Sequence, residues 1–336
     1  MALRSVARHV ATFVTLLATA ATVLLVGPTS PAHADPEGGS KKLRDALESA
    51  ARGHVEAKAK LDNSRKRQLQ LEITRKQAET DAELLKVQVG AVAAKSYRLG
   101  RYNGMTMLLN SASPDVFLER AVRLDMMAQI DARALTRYQQ ALAAAEQAKR
   151  AIDLEIKQQE KQVTIMARKK KDAERALASV GGGANVSFVN ANSPLAKPAR
   201  KNSDGSWPKE SCTINDPTTS GCITPRLLNA YQQSRAAGFK RYTSCFSQRS
   251  SGEHPLGRAC DFSANASTFQ NVNATGGDKA YGDRLASFLV RNASRLGVMY
   301  VIWYRKIWLP NTGWKSYSGS GGPAATHTNH VHLSIL

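Results

Sequence analysis

Apolar residues recur every seven positions at Leu43, Ala50, Ala57, Leu71, Ala78, Leu85, Val92 and Leu99, with Ser64 the polar member of the series. This spacing puts one face of a continuous helix against another helix, so residues 41–99 require a helical partner. A second series, Ala121, Ala128, Leu135, Leu142, Lys149, Ile156, Val163, Lys170 and Leu177, runs with Phe117, Leu124, Tyr138, Ala145, Ile152, Met166 and Ala173 at companion positions. Gly100, Asn103, Gly104 and Ser113-Pro114 interrupt both periods. Ser113 suits a helix N-cap and Pro114 a first helical turn. The two runs therefore read as an antiparallel coiled-coil hairpin over residues 35–178, each arm roughly 90 Å long at 1.5 Å per residue. Met105, Met107, Leu108 and Leu109 fall at its tip, where a small helix or a partner contact is expected to hide them.

Ahead of the hairpin, residues 1–34 have the layout of a secretory signal peptide. Arg4 and Arg8 lead into the apolar stretch Val10 to Val26, and Ala32-His33-Ala34 offers a small-x-small cleavage site. The exported chain would begin at Asp35 and be secreted. After the hairpin, residues 179–206 turn to Gly181-Gly182-Gly183, Pro194, Pro198 and scattered cations without a period, which reads as a flexible linker. Aromatics make up only 6% of the chain, yet Trp207, Trp303, Trp308 and Trp314 all lie beyond that linker. A compact domain is thus expected over residues 207–336, with Trp303, Trp308 and Trp314 in its core or along a groove.

The chemistry concentrates in the same region. His254, Asp261 and His332 supply two imidazoles and a carboxylate, the donor set of a catalytic zinc site with a position left open. Pro255, Leu256 and Gly257 read as a turn leading into a short strand, Arg258 to Phe262. The alternating run His330-Val331-His332-Leu333-Ser334-Ile335 reads as a strand with both imidazoles on one face. Thr224-Pro225 opens a helix ending near Gly238, Tyr242 to Phe246 suits a strand, and Lys279 to Leu296 a helix stopped by Gly297. Val298 to Tyr304 and Lys306 to Pro310 read as further strands. Glu253 reads as exposed or supporting, and His327 as a loop histidine.

His254-Pro255-Leu256-Gly257-Arg258-Ala259-Cys260-Asp261 followed by His330-Val331-His332 resembles the signature His-x-x-Gly-x-Ala-x-Asp … His-x-His of one group of zinc peptidases. These are the lysostaphin, D-alanyl-D-alanine carboxypeptidase and sonic hedgehog-like proteins. The resemblance implies an α+β zinc peptidase-like domain, with His254, Asp261 and His332 as ligands, that cuts amide bonds in peptidoglycan stem peptides or cross-bridges. It also implies that His330 helps activate water or stabilise the transition state, and that Arg249 binds a substrate carboxylate. Two positions depart from the pattern: Gly252 stands where a Ser is common, and Asn329 where many members carry an acidic general base. An amide cannot take up that proton. Tyr97-Arg98-Leu99-Gly100 and Leu108 to Leu118 further resemble the coiled-coil modules of secreted Gram-positive cell-wall hydrolases, in which the coil docks on a membrane complex and can restrain the enzyme.

Cys212, Cys222, Cys245 and Cys260 are an even set in an exported chain and point to two disulfides. Of three pairings, Cys212 with Cys222 closes a short loop, and Cys245 with Cys260 ties the strands on either side of the histidine loop. The formal charge is +20, and residues 179–336 hold 17 Lys and Arg against 7 Asp and Glu. For a cell-wall-associated protein the matching polyanions are wall polymers or anionic headgroups. Nucleic acid is disfavoured, since no nucleic-acid fold motif is present. The competing reading is a zinc-holding scaffold that has lost turnover and whose coil recruits another hydrolase.

Overall fold

The computed structural model describes residues 40–99, 103–186, 192–317 and 321–336. The signal-peptide reading of residues 1–34 lies outside them. Helix α1 runs over Lys41–Leu99, α2 over Asn103–Leu109 and α3 over Pro114–Ala178, and α1 and α3 pack against each other. Ser113 caps α3 by accepting the Val116 amide at 3.3 Å.

On α1 the seven-residue series faces its partner, with Leu43, Ala50, Ala57, Ser64 and Ala78 buried. On α3 the expectation needs correction. Ile152 and Ala173 of the companion series are buried, whereas Leu135, Leu142, Ile156 and Val163 are 40–52% exposed. The seam is narrow and partly polar, which selects small or hydrogen-bonding residues. The Ser64 hydroxyl donates to the Glu155 carboxylate at 2.6 Å, Arg67 holds the same carboxylate at 2.7 Å, and the Gln159 amide donates to Gln68 at 2.6 Å. The tip differs too: α2 forms, but Met105, Met107 and Leu109 stay 50–79% exposed.

The C-terminal part is β-rich with helices, consistent with an α+β arrangement. A two-stranded ribbon of β1 (Ile214–Asn215) and β2 (Cys222–Ile223) precedes helix α4 (Pro225–Ala236), which Thr224 caps through the Leu227 amide. Six strands then form one antiparallel sheet: β3 Thr243–Ser244, β4 Ala259–Ser263, β5 Val298–Trp303, β6 Lys306–Leu309, β7 Gly313–Ser316 and β8 His330–Ile335. Their order is β3-β4-β8-β5-β6-β7, so the last strand in sequence lies in the middle. The single helix expected from Lys279 to Leu296 is instead α5 (Gly276–Arg291) and α6 (Ala293–Leu296). The break falls at Asn292, whose side chain accepts from the Ala196 amide at 2.8 Å and donates to the Pro194 and Phe288 carbonyls.

Alternation along the strands divides the sheet into two faces. Val331, Leu333, Ile335, Cys260, Phe262 and Trp303 join Leu227, Leu285, Phe288 and Leu289 in one core, beneath α4 and α5. Tyr300, Ile302, Ile307 and Leu309 join Leu43, Leu47, Ala50, Ala51, Ala173 and Leu177 in a second. The base of the hairpin therefore seals the opposite face of the sheet. The segment expected to be a free tether is pinned where it is described: Ala184 accepts from the Ser316 amide, Lys197 donates to Gln233, and Ala199 donates to the Arg295 carbonyl. These bonds are to backbone and amide groups, which composition does not reveal.

Candidate metal centre

A single 3-10 turn, His254–Leu256, carries the first histidine and ends at Gly257 in the left-handed region with φ 63°. A Cβ on Gly257 would lie 2.5 Å from Cys212 Sγ and 2.7 Å from the Cys222 carbonyl oxygen, so the close approach requires glycine. Both expected disulfides, Cys212–Cys222 and Cys245–Cys260, are formed. Cys245 also accepts a hydrogen bond from His254 Nδ1 through its carbonyl. A carbonyl can only accept, so Nδ1 carries the proton and Nε2 is left bare.

Strand pairing brings the other groups to it. Asp261 on β4 stands opposite His332 on β8, and both project to the face that holds His330. His254 Nε2 lies 3.2 Å from Asp261 Oδ2 and 3.4 Å from His332 Nδ1, and His332 Nδ1 lies 2.8 Å from Asp261 Oδ1. The three donor atoms all fall within 4.8 Å of one another, and each residue is about 1% exposed. His332 Nε2 is engaged by the Ser334 hydroxyl at 2.8 Å. Outer nitrogens held by protein groups while inner atoms converge is the arrangement of a metal site. His254 Nε2 presents a lone pair to this buried cluster, which a divalent cation would stabilise. The donor set fits zinc without singling it out.

Burial by itself would push the Asp261 carboxyl up, but the surrounding imidazoles, His254 first and then His330 and His332, outweigh it and hold the group well below the ordinary carboxylate range. His330 is also enclosed. Its Nδ1 faces Asn329 Oδ1 at 2.7 Å, and its Nε2, 3.5 Å from Asp261 Oδ1, has no hydrogen-bond partner among the described residues. Burial lowers its pKa to about 4, with Asp261 opposing and His332, His254 and Arg249 assisting.

His327, read from sequence as a loop histidine, belongs to this cluster. It is fully buried with φ 51°, its ring centroid 4.7 Å from that of His330 and 5.7 Å from that of His332. Neither ring nitrogen closes a hydrogen bond among the described residues, although the Ala325 carbonyl is near enough to favour a proton on the ring. Burial, then His330 and His332, pushes its pKa well down. The spacing of three histidines within six residues was the available signal. Glu253 is buried rather than exposed and pairs with Arg258 at 2.6 Å.

These imidazoles make the metal-free protein acid-sensitive. A His whose folded pKa is depressed gives its full stability above the unfolded value and loses it as pH falls through the folded one. For His330 the window runs from 6.5 down to about 4, worth about 3 kcal/mol, and His327 acts in the same direction. Thermal unfolding of the chelated protein at pH 7 and pH 4.5 should show a clearly lower midpoint in acid; equal midpoints would contradict the buried neutral imidazoles.

Arg249, expected to bind a substrate carboxylate, lies 3.5 Å from the Asp261 carboxylate at Oδ2. It lines a cavity of about 240 Å³ together with Ser251, Glu253 and Tyr300 on one side and Lys41, Arg44 and Glu48 of α1 on the other. Tyr300 stacks on His332 with centroids 5.6 Å apart, and Arg44 donates to the Ser251 hydroxyl at 2.5 Å. The first turns of α1 therefore form one wall of this cavity, which meets the histidine cluster through Arg249 and Tyr300 and is lined by none of His254, Asp261, His330 and His332 themselves. Trp303 is core, its Nε1 donating to Asp283 at 2.8 Å, and no indole borders this cavity.

A family model described as the VldE C-terminal domain matches residues 219–328. That stretch is similar to this domain. The match takes in His254, Asp261 and His327 and ends before His330 and His332. Comparison with curated proteins and with solved structures gives no match.

Proposed function

We propose that the chain is an exported zinc-dependent peptidoglycan peptidase that cleaves amide bonds in stem peptides or cross-bridges, as a carboxypeptidase or endopeptidase, and is positioned by its coiled coil. One observation carries this reading: a buried His254, Asp261 and His332 donor set lies beside a second imidazole, His330, whose bare side faces the same carboxylate. The resemblance to the zinc peptidase signature supports the substrate class.

A zinc ion held by His254, Asp261 and His332 supplies polarisation of the scissile carbonyl and a more acidic water. His330 Nε2 accepts a proton from water as its oxygen bonds to the carbonyl carbon. The same nitrogen returns that proton to the amide nitrogen as the C–N bond breaks. Arg249 offers a planar fork to a substrate carboxylate.

The scaffold reading has one observation in its favour, the near-complete burial of the four groups. Incubating residues 35–336, disulfides formed, with peptidoglycan and quantifying new amino groups separates the two. Release that a zinc chelator abolishes and added zinc restores is the expected result. No release from folded, zinc-containing protein would transfer the conclusion to a zinc-holding scaffold whose coil recruits another hydrolase.

A further inference from the structure

We infer that Asn329 is a positioning residue that fixes His330 in the tautomer with a proton on Nδ1 and a bare Nε2 turned toward Asp261. It is not a degraded general base. The kinetic part of this inference rests on the hydrolase reading; the tautomer itself does not.

The assignment follows from a short chain of partners. The Asn329 side-chain amide donates through Nδ2 to the Gln270 carbonyl at 2.7 Å. A carbonyl accepts only, so the amide cannot be turned round, and Oδ1 must be the atom facing His330. His330 Nδ1, 2.7 Å away, then has to carry the hydrogen. A neutral imidazole has one N–H, which leaves Nε2 as an acceptor.

The surroundings hold this arrangement in place. Asn329 is 5% exposed, its own carbonyl accepts the Ala264 amide at 2.9 Å, and the next residue enters β8. Phe269 and His327 pack on the His330 ring, with centroids at 5.8 and 4.7 Å. The ring therefore cannot swing to offer Nδ1 instead. An acid at position 329 would be aimed at His330 Nδ1 and at the Gln270 carbonyl. The atom on the metal side is His330 Nε2, so the side chain at 329 acts through the histidine.

The test uses residues 35–336 labelled with 15N-histidine and loaded with zinc, at one neutral pH, with resonances assigned by single histidine substitutions. Wild-type His330 is expected to show a protonated-type Nδ1 and a bare-type Nε2. Asn329→Leu should redistribute the proton toward Nε2 and lower kcat by about 10–100-fold while KM moves little. Asn329→Asp keeps an acceptor for Nδ1, so it should keep the tautomer and stay within about tenfold of wild-type kcat despite losing the donor to Gln270. An unchanged tautomer in Asn329→Leu overturns the inference, and so does a gain of about a hundredfold in Asn329→Asp, which would mark the amide as a lost base. If Asn329→Leu fails to fold or to hold zinc, the Asn329→Asp arm decides alone. If wild-type protein releases nothing, the hydrolase reading falls while the 15N comparison still decides the role of Asn329.

Discussion

Asp261→Ala should lose its zinc on dialysis and, with it, all chelator-sensitive release of amino groups, a drop of at least about 10³-fold. Residues that merely orient a ligand typically account for 10–100-fold in metal affinity or activity, and on the proposed reading Asp261 is itself one of the three donors. Its charge is held firmly, since its carboxyl lies well below the ordinary range despite burial. Removing it leaves His254 and His332 with nitrogens 3.4 Å apart and no anion between them and a cation, and removes the carboxylate facing His330 Nε2. The reference is chelated wild-type protein, since losing a bound ion itself lowers the midpoint; a variant that still unfolds cooperatively, below that reference because Arg249 loses its carboxylate partner, together with lost zinc, is the expected pair of results. Stoichiometric zinc in the dialysed variant would show that the ion sits elsewhere.

The second large effect concerns Cys245 and Cys260. A cross-link spanning 15 positions is worth about 3 kcal/mol through the unfolded chain, so the double Cys→Ala variant should unfold roughly 6–12 °C lower. The site should suffer as well. Cys245 supplies the carbonyl that fixes the His254 tautomer, and Cys260 precedes Asp261 on β4. Zinc affinity should therefore fall by about 10–100-fold, while loss of the Cys212–Cys222 bridge, behind Gly257, should matter less to zinc. Calorimetry and zinc titration of the two double variants read both quantities. Equal zinc affinities would remove the bridge from any role in holding His254.

Helix α1 was legible to its ends because a seven-residue period, polar only at Ser64, runs between them, and β8 because its alternation is clean. The inward face of α3 was not, since two neighbouring series are both largely apolar and only packing against Ser64 and Gln68 chooses between them. β1, β2 and β7 are too short, or too mixed in character, to give a period. The three donors were readable because histidine and carboxylate at that spacing have few other uses. Asn329 looked like a defect from sequence, since its meaning depends on Gln270, a residue 59 positions away. The seating of the coil on the sheet was hidden for a similar reason: Leu43 and Leu47 satisfy a helix–helix pattern whether their neighbour is α3 or Tyr300 and Ile302.

That shared apolar layer joins the base of α1 to the candidate metal site in one packed unit. Leu43 and Leu47 lie over the face that bears Asp261, His330 and His332, and Tyr300 belongs to both the layer and the site. Linkage is reciprocal: whatever factor an ion contributes to seating the helix, the seated helix contributes to holding the ion. On the metal-site reading, zinc affinity would report on the seating of α1, and Leu47→Ala, far from the proposed ligands in sequence, should weaken it.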